Sequence, residues 1–316
     1  MTVDRQARRL DEAARAAWLS YVAGKTQDEI AEIMGVSRQS AQRLVSQAMK
    51  AGLVKVRIDH PISRCLDLAQ RLRDRFDLTE CEIVPSLAGD AASSLAVSRA
   101  VGDRIEAWLL RPDPQTIGLG TGRTLRAAVE HMPKIDCARH RIVSLTGNIA
   151  ADGSTAYYNV LFTITDKVTA HTFPMPLPVI AASVEERKTL LGQKTLSAAS
   201  ALSAQTDARF VGIGMMSANA PILLDGFIGQ EDVDRLRAKG AVGEILGWVY
   251  DRNGEILDDD IVRRVCSVEL DVGRARMTMG AAQGLSKLPA IRAAIRGRLI
   301  DSLTTDETTA EALLDA

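Results

Sequence analysis

The run Ile117-Gly118-Leu119-Gly120-Thr121-Gly122-Arg123-Thr124-Leu125 holds the residues best placed for chemistry. Its glycines let backbone approach a ligand closely and take positive φ, while Thr121 and Thr124 supply hydroxyl donors. The residues after it, Leu125-Arg126-Ala127-Ala128-Val129-Glu130-His131-Met132, have helical spacing, and those before it read as a short buried strand. A helix begins with N–H groups that lack intrahelical partners, and its dipole favours negative charge there. Gly120, Thr121, Gly122, Arg123 and Thr124 therefore suit an anion. Two readings stand at this point: a bound phosphate, or a tight strand-to-helix turn that needs glycine for its own geometry. Nucleotide fingerprints fit poorly. Counting from Gly118, the sixth position of G-x-G-x-x-G is Arg123, where a side chain obstructs close helix packing. A P-loop needs Gly-Lys-Ser/Thr, and no lysine follows. What remains is a smaller anion, such as the phosphate of a sugar.

A second constellation lies near the N-terminus. Thr26-Gln27-Asp28-Glu29 has the form of a capping box, in which Thr26 starts a helix and Glu29 reaches back to it. Met34-Gly35-Val36 makes a turn, and Ser37 caps a further helix, Arg38 to Lys50, that ends at Gly52. An earlier helix presents Ala13, Ala16, Ala17, Leu19 and Tyr21 on one face. Two helices joined by a glycine-containing turn, the second opening with Ser37, Arg38, Gln39 and Ser40 and carrying Gln42 and Arg43 one turn on, form a helix-turn-helix. In the major groove Arg pairs with guanine, Gln with adenine, and Ser with phosphate or base. Thr26 and Gln27 at the preceding helix start join these as candidate contacts to double-stranded DNA. The alternating Leu53-Val54-Lys55-Val56-Arg57-Ile58 predicts a wing strand with Lys55 and Arg57 reaching phosphates. The plainer reading is a three-helix bundle with a solvated polar face, but cap, turn and polar helix start all coincide.

Charge distribution agrees. Residues 1–60 carry ten Lys/Arg against seven Asp/Glu, a surplus of three positive charges in a chain whose net charge is −1. With 316 residues the chain is long enough for two domains, and 46% hydrophobic content is that of an ordinary globular protein. No apolar run approaches a membrane span, and the N-terminus is charged rather than signal-like, so a cytoplasmic protein with no membrane partner is expected. Cys65, Cys81, Cys137 and Cys266 form no C-x-x-C pair, which predicts buried reduced thiols and no metal. No cofactor is implied.

His60-Pro61 breaks the helical pattern and marks a boundary, giving a DNA-binding domain over 1–60 and a ligand-binding domain over 61–316. Residues 61–77 read as a linker helix with Leu66, Leu68, Ala69 and Leu72 on its apolar face, available for dimerisation or for packing on its own domain. Beyond it, strands and helices alternate, the pattern of an α/β domain with a parallel sheet. Strands are predicted at Cys81–Val84, Thr116–Leu119, Arg141–Thr146, Arg209–Ile213, Glu244–Tyr250, Ile261–Val268 and Leu299–Thr304. Ligands in such sheets collect beyond the carboxyl ends of strands, where Gly147-Asn148, Gly212 to Ser217 and Thr305-Asp306-Glu307 also lie.

Taken together, the helix-turn-helix Thr26–Val54, the turn Gly118–Leu125, the run Gly240-Ala241-Val242-Gly243-Glu244-Ile245-Leu246-Gly247 and the tail Leu303 to Ala310 make the chain resemble, over nearly its full length, the SorC family of sugar-responsive bacterial transcription regulators. The resemblance implies a winged helix-turn-helix followed by a Rossmann-like effector domain related to sugar-phosphate isomerases and glucosamine-phosphate deaminases. It implies a tetramer that binds operator DNA and a sugar, polyol or sugar phosphate. By the same resemblance, Thr121 to Thr124 hold the phosphate, Lys287 reaches it, and Glu244, where many relatives have Asp, faces the sugar. Relatives show Ala-Gly-Gly before that lysine, whereas this chain has Ala282-Gln283-Gly284-Leu285-Ser286-Lys287, so Gln283 alters the pocket and an unphosphorylated polyol stays open. A competing reading is an isomerase or deaminase, with Glu244 or Asp306 as general base and Lys287 as electrophile. It leaves the helix-turn-helix without a task. A dinucleotide-binding redox sensor is disfavoured by Arg123.

Overall fold

Two side-chain caps decide where the N-terminal helices begin. Thr26 accepts a hydrogen bond from the Glu29 amide while the Glu29 carboxylate accepts one from the Thr26 amide at 2.8 Å, closing the capping box. Ser37 accepts from the Ser40 amide at 3.2 Å. These caps start α2 (Gln27–Met34) and α3 (Arg38–Lys50), which pack with α1 (Thr2–Tyr21). Gly35, at φ 65°, ends α2 in the left-handed conformation that the turn requires. Ala13, Ala16, Ala17, Ile30, Ala41, Leu44, Val45 and Ala48 form the core, and the small alanines let the helices approach closely. Tyr21 is exposed rather than part of this core.

The computed structural model describes residues 2–55, 63–87, 89–150, 153–154, 159–270 and 277–315. The chain divides into two compact units, Met1–His60 and Pro61–Ala316. The predicted wing is only partly visible: Leu53, Val54 and Lys55 belong to no strand, and Val56, Arg57 and Ile58 lie outside the described residues.

The second unit opens with α4 (Ser63–Phe76), β1 (Glu80–Val84), α5 (Asp90–Leu109), β2 (Thr116–Leu119), α6 (Arg123–His131) and β3 (Arg141–Ser144). It continues with α7 (Val160–Thr165), β4 (His171–Phe173), α8 (Val184–Leu191), α9 (Ser197–Ala204), β5 (Ala208–Gly212) and β6 (Gly214–Met215). Next come α10 (Pro221–Leu224), α11 (Gln230–Ala238), β7 (Ala241–Ile245), β8 (Trp248–Asp251) and α12 (Asp260–Arg263). The last elements are β9 (Met277–Ala281), α13 (Leu288–Arg296), β10 (Ser302–Asp306) and α14 (Glu307–Leu314).

Seven strands form a parallel sheet in the order β1-β10-β9-β5-β2-β3-β4. Alternation along β5 sends Phe210 to one apolar cluster with α5, α6 and α7, and Val211 to another with α4, α13 and α14, so helices cover both faces. From β2 the chain winds outward through β3 and β4, and from β5 it winds the other way through β9 and β10. The neighbours β2 and β5 are therefore the point where strand order reverses, and a crevice is expected above their carboxyl ends.

A smaller antiparallel sheet, β6-β7-β8, stands beside it. Residues 244–250, expected as one strand, instead reverse at Leu246-Gly247, where φ values of 56° and 86° match a two-residue hairpin turn of the primed kind. Residues 261–268, also expected as a strand, begin with the short helix α12, because the Asp259 carboxylate caps it by accepting from the Ile261 amide. The central strand β9 was not expected from the sequence. All five of its residues are buried, so no alternation of burial marks it, and Met-Thr-Met-Gly-Ala offers only one β-branched residue and no aromatic to signal a strand. The linker helix α4 packs on its own unit, with Cys65, Leu68, Ala69 and Leu72 buried beside α14 while Leu66 is exposed. All four cysteines are free and buried.

Candidate functional site

A cleft of about 340 Å³ opens above the junction of β2 and β5. The glycine turn after β2 forms one wall with Thr121, Gly122, Arg123 and Thr124, and the segment Gly212–Met215 after β5 forms another. Gly120 sits beneath it, its amide donating to the Phe210 carbonyl at 2.9 Å, where a Cβ would press on Leu246 at 2.9 Å. Gly122 precedes α6 at φ 115°, a backbone state that favours glycine, and no side chain caps the helix there. The first amides of α6 thus face the cleft with their dipole unopposed by a cap.

Four charged side chains converge on this space. Lys287, in the turn that follows β9, donates from Nζ to the Ile213 carbonyl at 2.9 Å. Glu244 stands opposite Gly214 in the β6–β7 pairing, and its carboxylate accepts from the Gly247 amide at 2.9 Å. Any side chain at Gly214 would collide with it, since a Cβ there would lie 2.1 Å from Glu244 Oε1. Arg123 pairs with Asp225 at 2.9 Å. Enclosure acts on all three inner groups. Loss of hydration raises the Glu244 and Asp225 carboxyls above their ordinary values, against the pull of Gly247 and Lys287 on the first and Arg123 on the second. The same enclosure lowers Lys287, with Glu244 opposing the shift. Lys287, Glu244 and Asp225 are thus held in a poorly hydrated space, with the exposed Arg123 at its rim beside the helix N-terminus.

This arrangement can bind a polar ligand at two ends. Donors from the α6 start, Arg123 and Lys287 suit an anionic group, and the Glu244 carboxylate can accept from ligand hydroxyls. Gln283 adds a side chain to the wall. Gly147 and Asn148 do not line the cleft: a Cβ at Gly147 would lie 2.4 Å from the Pro178 carbonyl oxygen, and the Asn148 amide donates to Leu177. Those two residues brace the segment 175–180 instead. Asp306 also lies elsewhere, capping α14 by accepting from the Thr309 amide and bonded to Ser86 at 2.8 Å. Sequence reading missed Asp225, Ser94 and Asn219, which reach the cleft from segments with no distinguishing spacing.

In the first unit, Arg38, Gln39, Gln42 and Arg43 are exposed along the start of α3, and Ser40 is half-covered. Ser37 and Thr26 are exposed caps, Lys55 is exposed, and Gln27 is half-buried with its Oε1 unpartnered. Arg38 lies 3.5 Å from Asp28, an exposed pairing across the turn. Among the described residues no helix is long and apolar enough to cross a membrane.

Comparison with known proteins agrees with both halves. Residues 60–315 match the family model described as "Putative sugar-binding domain", and residues 2–51 match that of Sigma-70, region 4. The chain is 34% identical over 302 residues to the erythritol catabolism regulatory protein EryD of Brucella abortus, covering 96% of each. It is 31% identical over 309 residues to the transcriptional regulator LsrR of an Enterobacter species, covering 95% of this chain and 92% of that one. The crystal structure of the full-length sorbitol operon regulator SorC from Klebsiella pneumoniae superposes with a TM-score of 0.76 at 26% identity, over 96% of this chain and 97% of that one. These relatives are regulators along their whole length, which removes the isomerase or deaminase reading. The chain belongs to the SorC family of sugar-binding transcriptional regulators.

Proposed function

We propose that this regulator controls a carbohydrate or polyol catabolic operon, as a cytoplasmic homo-oligomer, a tetramer, whose effector is a phosphorylated sugar or polyol. The convergence of the α6 N-terminus, Arg123 and Lys287 opposite the Glu244 carboxylate carries this reading. Phosphate oxygens accept from the amides of Gly122 to Thr124, from the Thr121 and Thr124 hydroxyls and from Lys287, while Glu244 accepts from ligand hydroxyls. The relative named for erythritol catabolism directs attention to short polyols.

On the DNA side, Ser37, Arg38, Gln39, Ser40, Gln42 and Arg43 read the major groove from α3, while Thr26, Gln27 and Lys55 contact its edges. A palindromic operator needs two such units about 34 Å apart, one DNA turn, so subunits must present them in a fixed geometry. Effector and operator are coupled when they favour different arrangements of the subunits.

Thermal unfolding against matched pairs of sugars, polyols and their phosphates tests the proposal. A ligand that binds only the folded state stabilises it by about 2.7 kcal/mol at 100 times its Kd. A rise in Tm confined to phosphorylated members, including a phosphate monoester of erythritol, is the expected result. A rise confined to the unphosphorylated members would discard the phosphate contacts.

A further inference from the structure

A second cleft, of about 360 Å³, lies at the opposite ends of the strands. Its walls come from the residues that lead into β1 and β10 and from the last turns of α4 and α13. Four arginines line it, Arg75, Arg292, Arg296 and Arg298, against the carboxylates of Asp77 and Asp301. A chain of net charge −1 thus gathers a local surplus of two positive charges here, over an apolar floor that includes Ile295 and Ile300.

The carboxylates do not cancel the arginines. Asp301 is turned inward, accepting from the Thr278 amide at 3.0 Å and the Ser302 hydroxyl at 2.7 Å. Asp77 meets Arg298 at 3.1 Å, but both side chains are more than three-quarters exposed, and such pairs are held weakly against water. Arg75 and Arg292 each donate to a carbonyl at the end of α14, of Leu314 and Ala312 respectively, which fixes their position. Arg292 Nε is nonetheless buried without a hydrogen-bond partner.

Backbone conformation gives an independent sign. Among the described residues only three that are not glycine have positive φ, and two of them, Asp77 at 54° and Arg298 at 52°, face each other across this cleft. Each ends a helix where glycine is the low-strain choice. Glycine is available one residue earlier, at Gly297, but there it serves close packing, since a Cβ would lie 2.5 Å from the Gly254 carbonyl oxygen. The left-handed position therefore falls on Arg298, and its charge is kept at the cost of strain.

We propose that this cleft is a second anion site, which takes a small dianion of the phosphate-monoester class on Arg292, Arg296 and Arg298. Planar guanidinium groups grouped around one space match the geometry of phosphate oxygens. The site lies apart from the effector cleft but shares an element with it, since α13 begins just after Lys287 and ends at Arg296. It also includes the end of α4, the first helix after the DNA-binding unit.

The probe is inorganic phosphate, titrated calorimetrically into the full-length protein at constant ionic strength in chloride. Lys287→Ala is used as the background, so that the effector cleft, weakened about 100-fold, contributes little to the signal. One phosphate per subunit is expected there, with affinity reduced about tenfold or more by adding Arg298→Gly, the loss of one charge-assisted contact. Glycine also relieves the positive φ, so Tm should stay level or rise as binding falls, an outcome that a purely structural arginine would not give. Arg296→Gln, at an exposed position, repeats the test without touching the backbone. Absence of phosphate binding in Lys287→Ala, or affinity unmoved by both arginine substitutions, would overturn the proposal.

Discussion

The two units handle charge in opposite ways. In the N-terminal unit the residues suited to DNA stand exposed on α3, and only local caps and a small alanine-rich core hold them in place. In the larger unit Lys287, Glu244 and Asp225 are drawn into a cleft where loss of hydration shifts all three. Exposed cations act through long-range attraction to phosphate and are screened by salt, whereas enclosed ones act on a single ligand and answer to pH. A regulator needs both. Its DNA reader must slide and release, and its sensor must discriminate one small molecule from many.

The sharpest break in this comparison would come from Lys287→Ala. Ligand affinity is expected to fall about 100-fold, equivalent to about 2.7 kcal/mol, with operator affinity in the absence of ligand unchanged. Calorimetry and fluorescence anisotropy on the same preparation check both halves, and a loss of operator binding would erase the separation between units. Arg43→Ala is the mirror case. Operator affinity should drop by about 1–3 kcal/mol while ligand binding is retained, and a drop in affinity that is uniform across operator sequences would make Arg43 a phosphate contact rather than a base reader.

Smaller effects probe the supports. Ser37→Ala removes the hydrogen bond to the Ser40 amide and should cost about 1 kcal/mol of stability in the first unit, read as a lower Tm of its transition. Glu244→Gln tests the enclosed carboxylate through pH. Its folded value lies above the ordinary 4.5, so the carboxyl favours the fold below that pH and loses this contribution as pH rises through the folded value. The variant, which cannot ionise, should match the parent below pH 4.5 and exceed it in Tm above. A difference that does not change with pH would show that burial is not what shifts this group.

The same contrast explains what was legible in the sequence. Caps are local: Thr26 with Glu29, and Ser37 with Ser40, lie within one helical turn of each other, so the helix starts could be read from neighbouring residues. The glycine turn was legible for the same reason, because strand, turn and helix follow one another directly. The cleft was not. Asp225 reaches Arg123 across 102 positions and Lys287 reaches Ile213 across 74, and only the fold brings them together. Glycine misled at Gly147, where it permits close packing against Pro178 rather than access to a ligand. The hairpin at Leu246-Gly247 was hidden inside a continuous apolar run, since residues from Ile245 to Leu246 and Val249 to Tyr250 are all buried and leave no polar break. In β9 the strand is buried on both faces, and its one polar residue, Thr278, is too little to mark an alternating strand.

The most direct test of the account is operator affinity measured by fluorescence anisotropy with and without the phosphorylated sugar or polyol that raises Tm, in the parent protein and in Lys287→Ala. The ligand should change operator affinity about fivefold or more in the parent, the lower end of typical coupling energies, and leave Lys287→Ala unmoved. A ligand that shifts both proteins equally, or that binds the parent without altering its hold on the operator, would contradict the assignment of this cleft as the sensor.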